Sequence, residues 1–240
     1  MSELIDKTFF ITGQPIILNK YGALNFVKVG QYYKFVQYVE LLNMSSSEMR
    51  DILAKIYGQK IGDYRLAKQV FKAFDKLTRF QLIKEFENNP IYMAFNDVFD
   101  MLMDNKGVLA LVNEDEFELI VKLIMEMNGV KPKKKFENEE LRYFAELQDE
   151  LDNRRSKLDW ESIYTCVWQS LKHDPKDLTL YQFYSLFFRY SKTMQYFATT
   201  IYSTVTQVDL VNFCDPVDVF GKEEKKETLQ EFERRASKLN

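Results

Sequence analysis

Residues 178–205, LTLYQFYSLFFRYSKTMQYFATTIYSTV, decide the fold class. Thr179 and Gln182 stand at the spacing where an N-cap hydroxyl and a side-chain amide satisfy each other's backbone N–H groups. Leu178 and Phe183 flank them as a hydrophobic staple. At about 100° per residue, Leu180, Phe183, Phe187, Met194, Ala198, Ile201 and Val205 fall on one face, which predicts a long amphipathic helix against a core. Tyr181 and Phe188 project nearly opposite that face beside Lys192 and Thr199, with Tyr196 at the margin. Large rings on the polar side imply contact on two sides. Two readings are open: another helix of the chain covers those rings, or they form a groove for a partner's amphipathic or extended segment. In the second reading Tyr181, Phe188, Lys192 and Tyr196 are the partner-binding residues.

The same start grammar recurs upstream. Ser45 and Glu48 form a capping box flanked by Met44 and Met49, with Gly58 as the expected stop, and Asn113 with Glu116 repeats it between Val112 and Phe117. Between them the spacing predicts helices over about 63–87 (Leu66, Val70, Phe74, Leu77) and about 90–104, with Pro90 in a first turn. A helix is expected after Asp159 and a charged amphipathic one over about 138–156. Residues 8–29 read as extended: Phe9 to Ile11, Pro15 to Leu18, a turn at Asn19–Gly22, then Leu24 to Val29 alternating apolar and polar. A first helix after Gly30 carries Tyr33, Val36 and Leu41 at its spaced apolar positions. The expected fold is mostly α, bundle-like, with a short N-terminal β-hairpin and a charged C-terminal tail. Its parts are a hairpin plus helical subdomain over 1–130, a linker over 131–140, a helical subdomain over 141–221 and the tail over 222–240.

Composition narrows the function. The 240 residues are 46% hydrophobic and 29% charged, too apolar for a disordered chain. A net charge of −3 supplies no overall positive field, so neither nucleic acid nor an anionic membrane is an expected partner. No stretch approaches the roughly 18 apolar residues of a membrane span. The opening MSELIDKTFF carries acids where a secretory signal has basic residues, which gives a cytosolic expectation. Cys166 and Cys214, in apolar contexts, are expected to be buried free thiols.

Candidate chemistry is sparse. His173, the one histidine, precedes Asp174–Pro175 with no nucleophile in an activating context, and reads as structural or solvated. Asp97, Asp100 and Asp104 could share a helix face and hold a divalent ion, but Met101, Leu102 and Met103 between them describe a helix whose acids face water. Lys131–Pro132–Lys133–Lys134–Lys135 could touch phosphate, yet Glu137, Glu139 and Glu140 offset it as in a hydrated linker. EF-hand, Walker, dinucleotide-binding, paired CxxC and HExxH patterns are absent. No catalytic residue, metal site or cofactor is expected, and the chain reads as a non-enzyme.

The segment Asp174 to Phe183, then Arg189–Tyr190 and Tyr196 to Tyr202, resembles the C-terminal part of tail assembly chaperones of long-tailed bacteriophages. Residues 208–213 and 217–220 resemble the short motif that follows, and the opening resembles theirs in a strand pair ending at Phe26–Val27–Lys28–Val29 before a Tyr-rich helix. The similarity covers roughly residues 8–45 and 160–220. It implies a non-enzymatic protein of an infected bacterial cytoplasm that binds the tape measure protein. Such a protein keeps that apolar helix soluble until tail-tube subunits, possible further partners, polymerise around it. The 9 Met and 36 aromatic residues permit a surface that repacks on varied helices. Two alternatives from other classes are a structural virion or tail component and a phage-encoded inhibitor of a host protein.

Overall fold

The computed structural model describes residues 6–85, 90–132 and 159–205 and the single positions 210, 212, 214 and 219. The chain runs α1 (Lys7–Thr12), β1 (Ile16–Leu18), β2 (Gly22–Leu24), α2 (Tyr32–Leu42), α3 (Ser46–Ile61), α4 (Tyr64–Lys72), α5 (Arg79–Glu85), α6 (Pro90–Leu102), α7 (Val108–Leu111), α8 (Glu114–Met127), α9 (Trp160–Leu171) and α10 (Leu180–Tyr202). Short 3-10 turns occupy Val29–Gln31 and Pro175–Asp177. The fold is mostly α with one antiparallel hairpin, in which Ile16, Ile17 and Leu18 face Leu24, Ala23 and Gly22. Residues 133–140 of the expected linker, the helix expected over 138–156 and the expected tail over 222–240 lie outside the described residues.

Helix starts follow the caps written in the sequence. The reciprocal boxes of Ser45 with Glu48, Asn113 with Glu116 and Thr179 with Gln182 all form, and Asp159 accepts from the Ser162 N–H at 2.7 Å to open α9. Each satisfies N–H groups that the first turn of a helix leaves without partners. A further box, Thr78 with Gln81, opens α5.

Several boundaries differ from the sequence expectation. Phe9–Ile11 is helical, because Asp6 accepts from Thr8 N–H and Gly13, at φ +68°, closes the turn in the left-handed region. Gly58 does not stop α3; Gly62 does, at φ +74°. Gly58 is instead a contact point, since a Cβ there would lie 2.8 Å from the Tyr64 Cα where α4 crosses α3. The helix expected over 63–87 breaks into α4 and α5; α4 buries Ala67 and Phe71 and leaves Leu66 and Val70 exposed, and α5 buries Leu82 and Ile83. On α2 the buried residues are Phe35, Leu41 and Leu42, and Tyr33 and Val36 face out. The thiols are free, but Cys166 is half-buried and Cys214 exposed.

Residues 25–29 form no strand of the hairpin, although they alternate as one. Residues 25–28 run extended into the 3-10 turn that begins at Val29, with Phe26, Val27 and Val29 buried. On one side Asn25 N–H donates to Leu102 O at 2.8 Å and Val27 N–H to Asn128 Oδ1 at 2.9 Å. On the other, Val29 N–H donates to Leu178 O at 2.9 Å and Leu180 N–H to Val27 O at 3.2 Å. Buried amides require such partners. Around this belt the N-terminal core closes on Phe117 of α8, whose ring meets Phe95 at 5.3 Å, Phe80 at 5.4 Å and Phe99 at 6.0 Å.

Two side chains fasten the belt and the hairpin to α8. Asn128, buried, accepts from Val27 and donates its Nδ2 to Ile124 O at 2.8 Å. Glu116 accepts from the Tyr21 hydroxyl at 2.5 Å beside Lys20 Nζ at 3.6 Å. The Asn113 backbone N–H, then the Tyr21 hydroxyl, hold the Glu116 carboxyl below its ordinary pKa.

Replacing Asn128 by Leu leaves the Val27 N–H and Ile124 carbonyl unpaired inside the protein, and chemical denaturation should register a loss of about 1–3 kcal/mol. The Glu116 contribution has the sign of a depressed acid: it is present above the unfolded-state pKa and is lost as pH falls through the lower folded value. Urea titrations from neutral to acid pH should therefore find Glu116→Gln less stable at neutral pH and less pH-dependent on the acid limb. Parallel curves for the two proteins would contradict that assignment.

Candidate protein-binding surface

Helix α10 begins inside the molecule. Its cap residue Thr179 is buried against the belt, and Leu180, Phe183 and Phe187 point into the core. Phe183 meets Trp160 at 4.9 Å and Tyr164 at 6.1 Å, both on α9, and Trp160 in turn stacks on Tyr32 at 3.5 Å with the rings 7° from parallel. Tyr184 packs beside the same cluster, where burial, then the neighbouring Tyr32, pushes its hydroxyl pKa to about 12. These rings fix the first half of α10 by large-area contact.

Along the second half, no described element gives the stripe such cover. The face expected to be core from Leu180 to Val205 divides at about Phe187: Met194, Ala198, Ile201 and Val205 are exposed. The reason is length. At about 1.5 Å per residue, the 23 residues of α10 extend almost twice as far as the 12 residues of α9 that pack on it. Tyr190, Met194, Phe197, Ile201 and Val205 continue the buried stripe at helical spacing, and their exposure rises from 39% at Tyr190 to 81% at Val205. Tyr202, also exposed, borders the stripe.

The sequence-nominated residues occupy two environments. Tyr181 is half-buried with its ring 5.2 Å from Phe10 of α1. Helix α1 is itself held there by the Gln182 Nε2 bond to Ile11 O at 2.9 Å. Phe188 is half-buried, 6.5 Å from Tyr184 and 5.6 Å from Phe187. Lys192 and Tyr196 are half-buried one and two turns further on, and Tyr196 meets Phe197 at 5.9 Å. The four lie along one helix, with Tyr181 and Tyr196 about 22 Å apart along its axis. Sequence reading assigned Met194, Ile201 and Val205 to the core. Their exposure was legible only once the shortness of α9 was known.

Other candidate chemistry resolves into local structure. Asp174 caps the 3-10 turn through Lys176 N–H at 3.0 Å and accepts from the Tyr164 hydroxyl at 2.5 Å. That bond is the main reason the Tyr164 pKa rises to about 12. His173 is exposed, with Nδ1 3.1 Å from Leu171 O. Asp97 faces water, Asp100 accepts from Asn96 at 3.0 Å and from Gly107 N–H at 2.8 Å, and Asp104, beyond the end of α6, accepts from Asn25 at 2.8 Å. Among the described residues no cluster of three His, Cys, Asp or Glu side chains could hold a metal ion, and no helix is long and apolar enough to cross a membrane.

A family model described as the YomV N-terminal domain matches residues 5–137. The chain is also similar to the SPbeta prophage-derived uncharacterized protein YomV of Bacillus subtilis (strain 168), at 25% identity over 227 residues, 93% of this chain and 92% of that one. No solved structure matches.

The division of α10 predicts a matching division of mutational cost. Phe183→Ala, in the closed half, should lower stability by about 3–5 kcal/mol. Ile201→Ser, in the open half, should stay within about 0.5 kcal/mol of the parent. Equal losses at both positions in denaturant titrations would mean that the distal stripe is covered.

Proposed function

The chain belongs to the family of the YomV N-terminal domain, a phage-derived family, and from that premise we propose that it is a tail assembly chaperone. In this reading it binds the apolar helical tape measure protein and keeps it soluble before the tail tube polymerises. The observation that carries the reading is the uncovered stripe from Tyr190 to Val205, continuous with a buried one. The half-buried Phe188, Lys192 and Tyr196 lie on the other side of the same helix.

The work is burial, without catalysis, metal or cofactor. Each large apolar side chain taken fully out of water contributes about 1.5–3 kcal/mol, and the costs of association and ordering offset much of that sum. The outcome is reversible holding, as a client that must later be surrendered requires. No charged residue stands on the stripe, so docking strips water from no ion. Met194 and the rings of Tyr190, Phe197 and Tyr202 adapt to different apolar partners. The site of action in this reading is the cytoplasm of the infected host.

Co-expression with the tape measure protein of the same phage should raise that protein's soluble fraction and yield a complex on purification. Phe197→Ser with Ile201→Ser should lose the complex while helicity, read by circular dichroism, is retained. Purified virions should lack the chain. Its presence there in stoichiometric amount, or no complex with the tape measure protein, would overturn the reading.

A further inference from the structure

A second pair of surfaces lies far along the chain from the α10 stripe. Residues 50–79 carry eight basic and three acidic side chains, a net of +5 in a chain of −3, which leaves −8 for the remainder. Three of these cations stand on α4. Ala67 and Phe71 bury its inner face, Arg65, Lys68 and Lys72 line one outer shoulder, and Leu66 and Val70, about half exposed, line the other. The two ion pairs among the described residues, Lys20 with Glu116 and Arg79 with Glu118, neutralise none of these three cations. Of the nearby acids, Asp63 is engaged as the α4 cap, accepting from Leu66 N–H at 3.0 Å. Asp51 and Asp75 border the groove between α3 and α4 that Lys68 and Lys72 also line.

The opposite pattern stands on α7 and α8. The outward arc of α8 carries Glu114 and Asp115, with Glu118 paired to Arg79 beside them and one further cation, Lys122. The exposed Leu111, at the end of α7, and Leu119 accompany them. Each surface therefore presents what the other needs, a row of unlike charge beside a pair of uncovered aliphatic side chains.

We propose that α4 of one copy docks on the α7–α8 surface of a second copy. Two features favour a second copy over a polyanion. Phosphates would engage Arg65, Lys68 and Lys72 but leave Leu66 and Val70 in water, whereas Leu111 and Leu119 of another copy cover them. The acidic surface would find no role in nucleic-acid binding. Unlike charges speed encounter and fix register, and the apolar pairs hold the contact once it forms. The α10 stripe takes no part, so self-association and client binding are separate properties.

Sedimentation equilibrium of the full chain tests this. At about 0.01 M salt, where the screening length is about 30 Å, the weight-average mass should climb with concentration from 28.6 kDa to at least twice that value. At about 1 M salt, where screening acts within about 3 Å, it should return to the single-chain mass. Lys68→Glu with Lys72→Glu, and separately Asp115→Lys with Leu119→Lys, should each sediment as single chains with helicity intact. Mixed in equal amounts they should form a complex again, because each retains the surface the other has lost. A parent chain that stays single at low salt overturns the proposal, as does a mixture that stays single. Should the low-salt species prove to contain nucleic acid and vanish on nuclease treatment, the polyanion is the occupant and the proposal fails. Variants that unfold leave the salt dependence of the parent to decide.

Discussion

An extended segment buried without a sheet has to find partners for its amides, and Asn25, Val27 and Val29 find theirs in elements more than seventy positions away. Val27 is the hinge of this arrangement: its N–H goes to the side chain of Asn128 and its carbonyl to the N–H of Leu180. One residue thereby ties the end of α8 to the start of α10. Because an unpaired buried amide is costly, the two halves of the molecule close around the belt together. The Thr179 cap, the Trp160–Tyr32 stack and the docking of α1 on Gln182 follow from where the belt sets the first turn of α10.

Anchored at one end, α10 outruns its support. Nothing in its sequence changes character at Phe187; the same apolar spacing continues to Val205. What changes is the neighbour, since α9 and α1 meet only the proximal turns. A helix whose apolar stripe is buried at its root and open at its tip is rigid and sticky in the same element. That combination suits the holding of another chain's helix, because the root spares the tip the entropic cost of ordering on binding.

Local features of this fold were legible in the sequence and non-local ones were not. The capping boxes at Ser45, Asn113 and Thr179 depend on residues three apart, so spacing alone located three helix starts. Helix faces depend on what arrives from elsewhere. Leu66 and Val70 have the spacing of a core stripe, but α3 approaches from the side of Ala67 and Phe71. Gly58 looked like a stop because a close helix crossing and a helix end both favour a residue without a side chain. Residues 24–29 alternate as a strand does because both are half-covered extended chain, and only the identity of the hydrogen-bond partners separates a belt from a hairpin arm. The rings of Tyr181 and Phe188 lie off the main stripe. The larger open surface lay on the stripe itself, hidden behind the assumption that an apolar face is a buried face.

Photo-crosslinking from position 197 tests the central claim most directly. With a photoreactive phenylalanine analogue in place of Phe197, irradiation of cells in which the phage is assembling should join the chain to a phage-encoded protein through an apolar helical segment, while the same analogue at the buried Phe183 should give no intermolecular product. Crosslinks from 197 that return only to the chain itself, or equal products from both positions, would contradict the account.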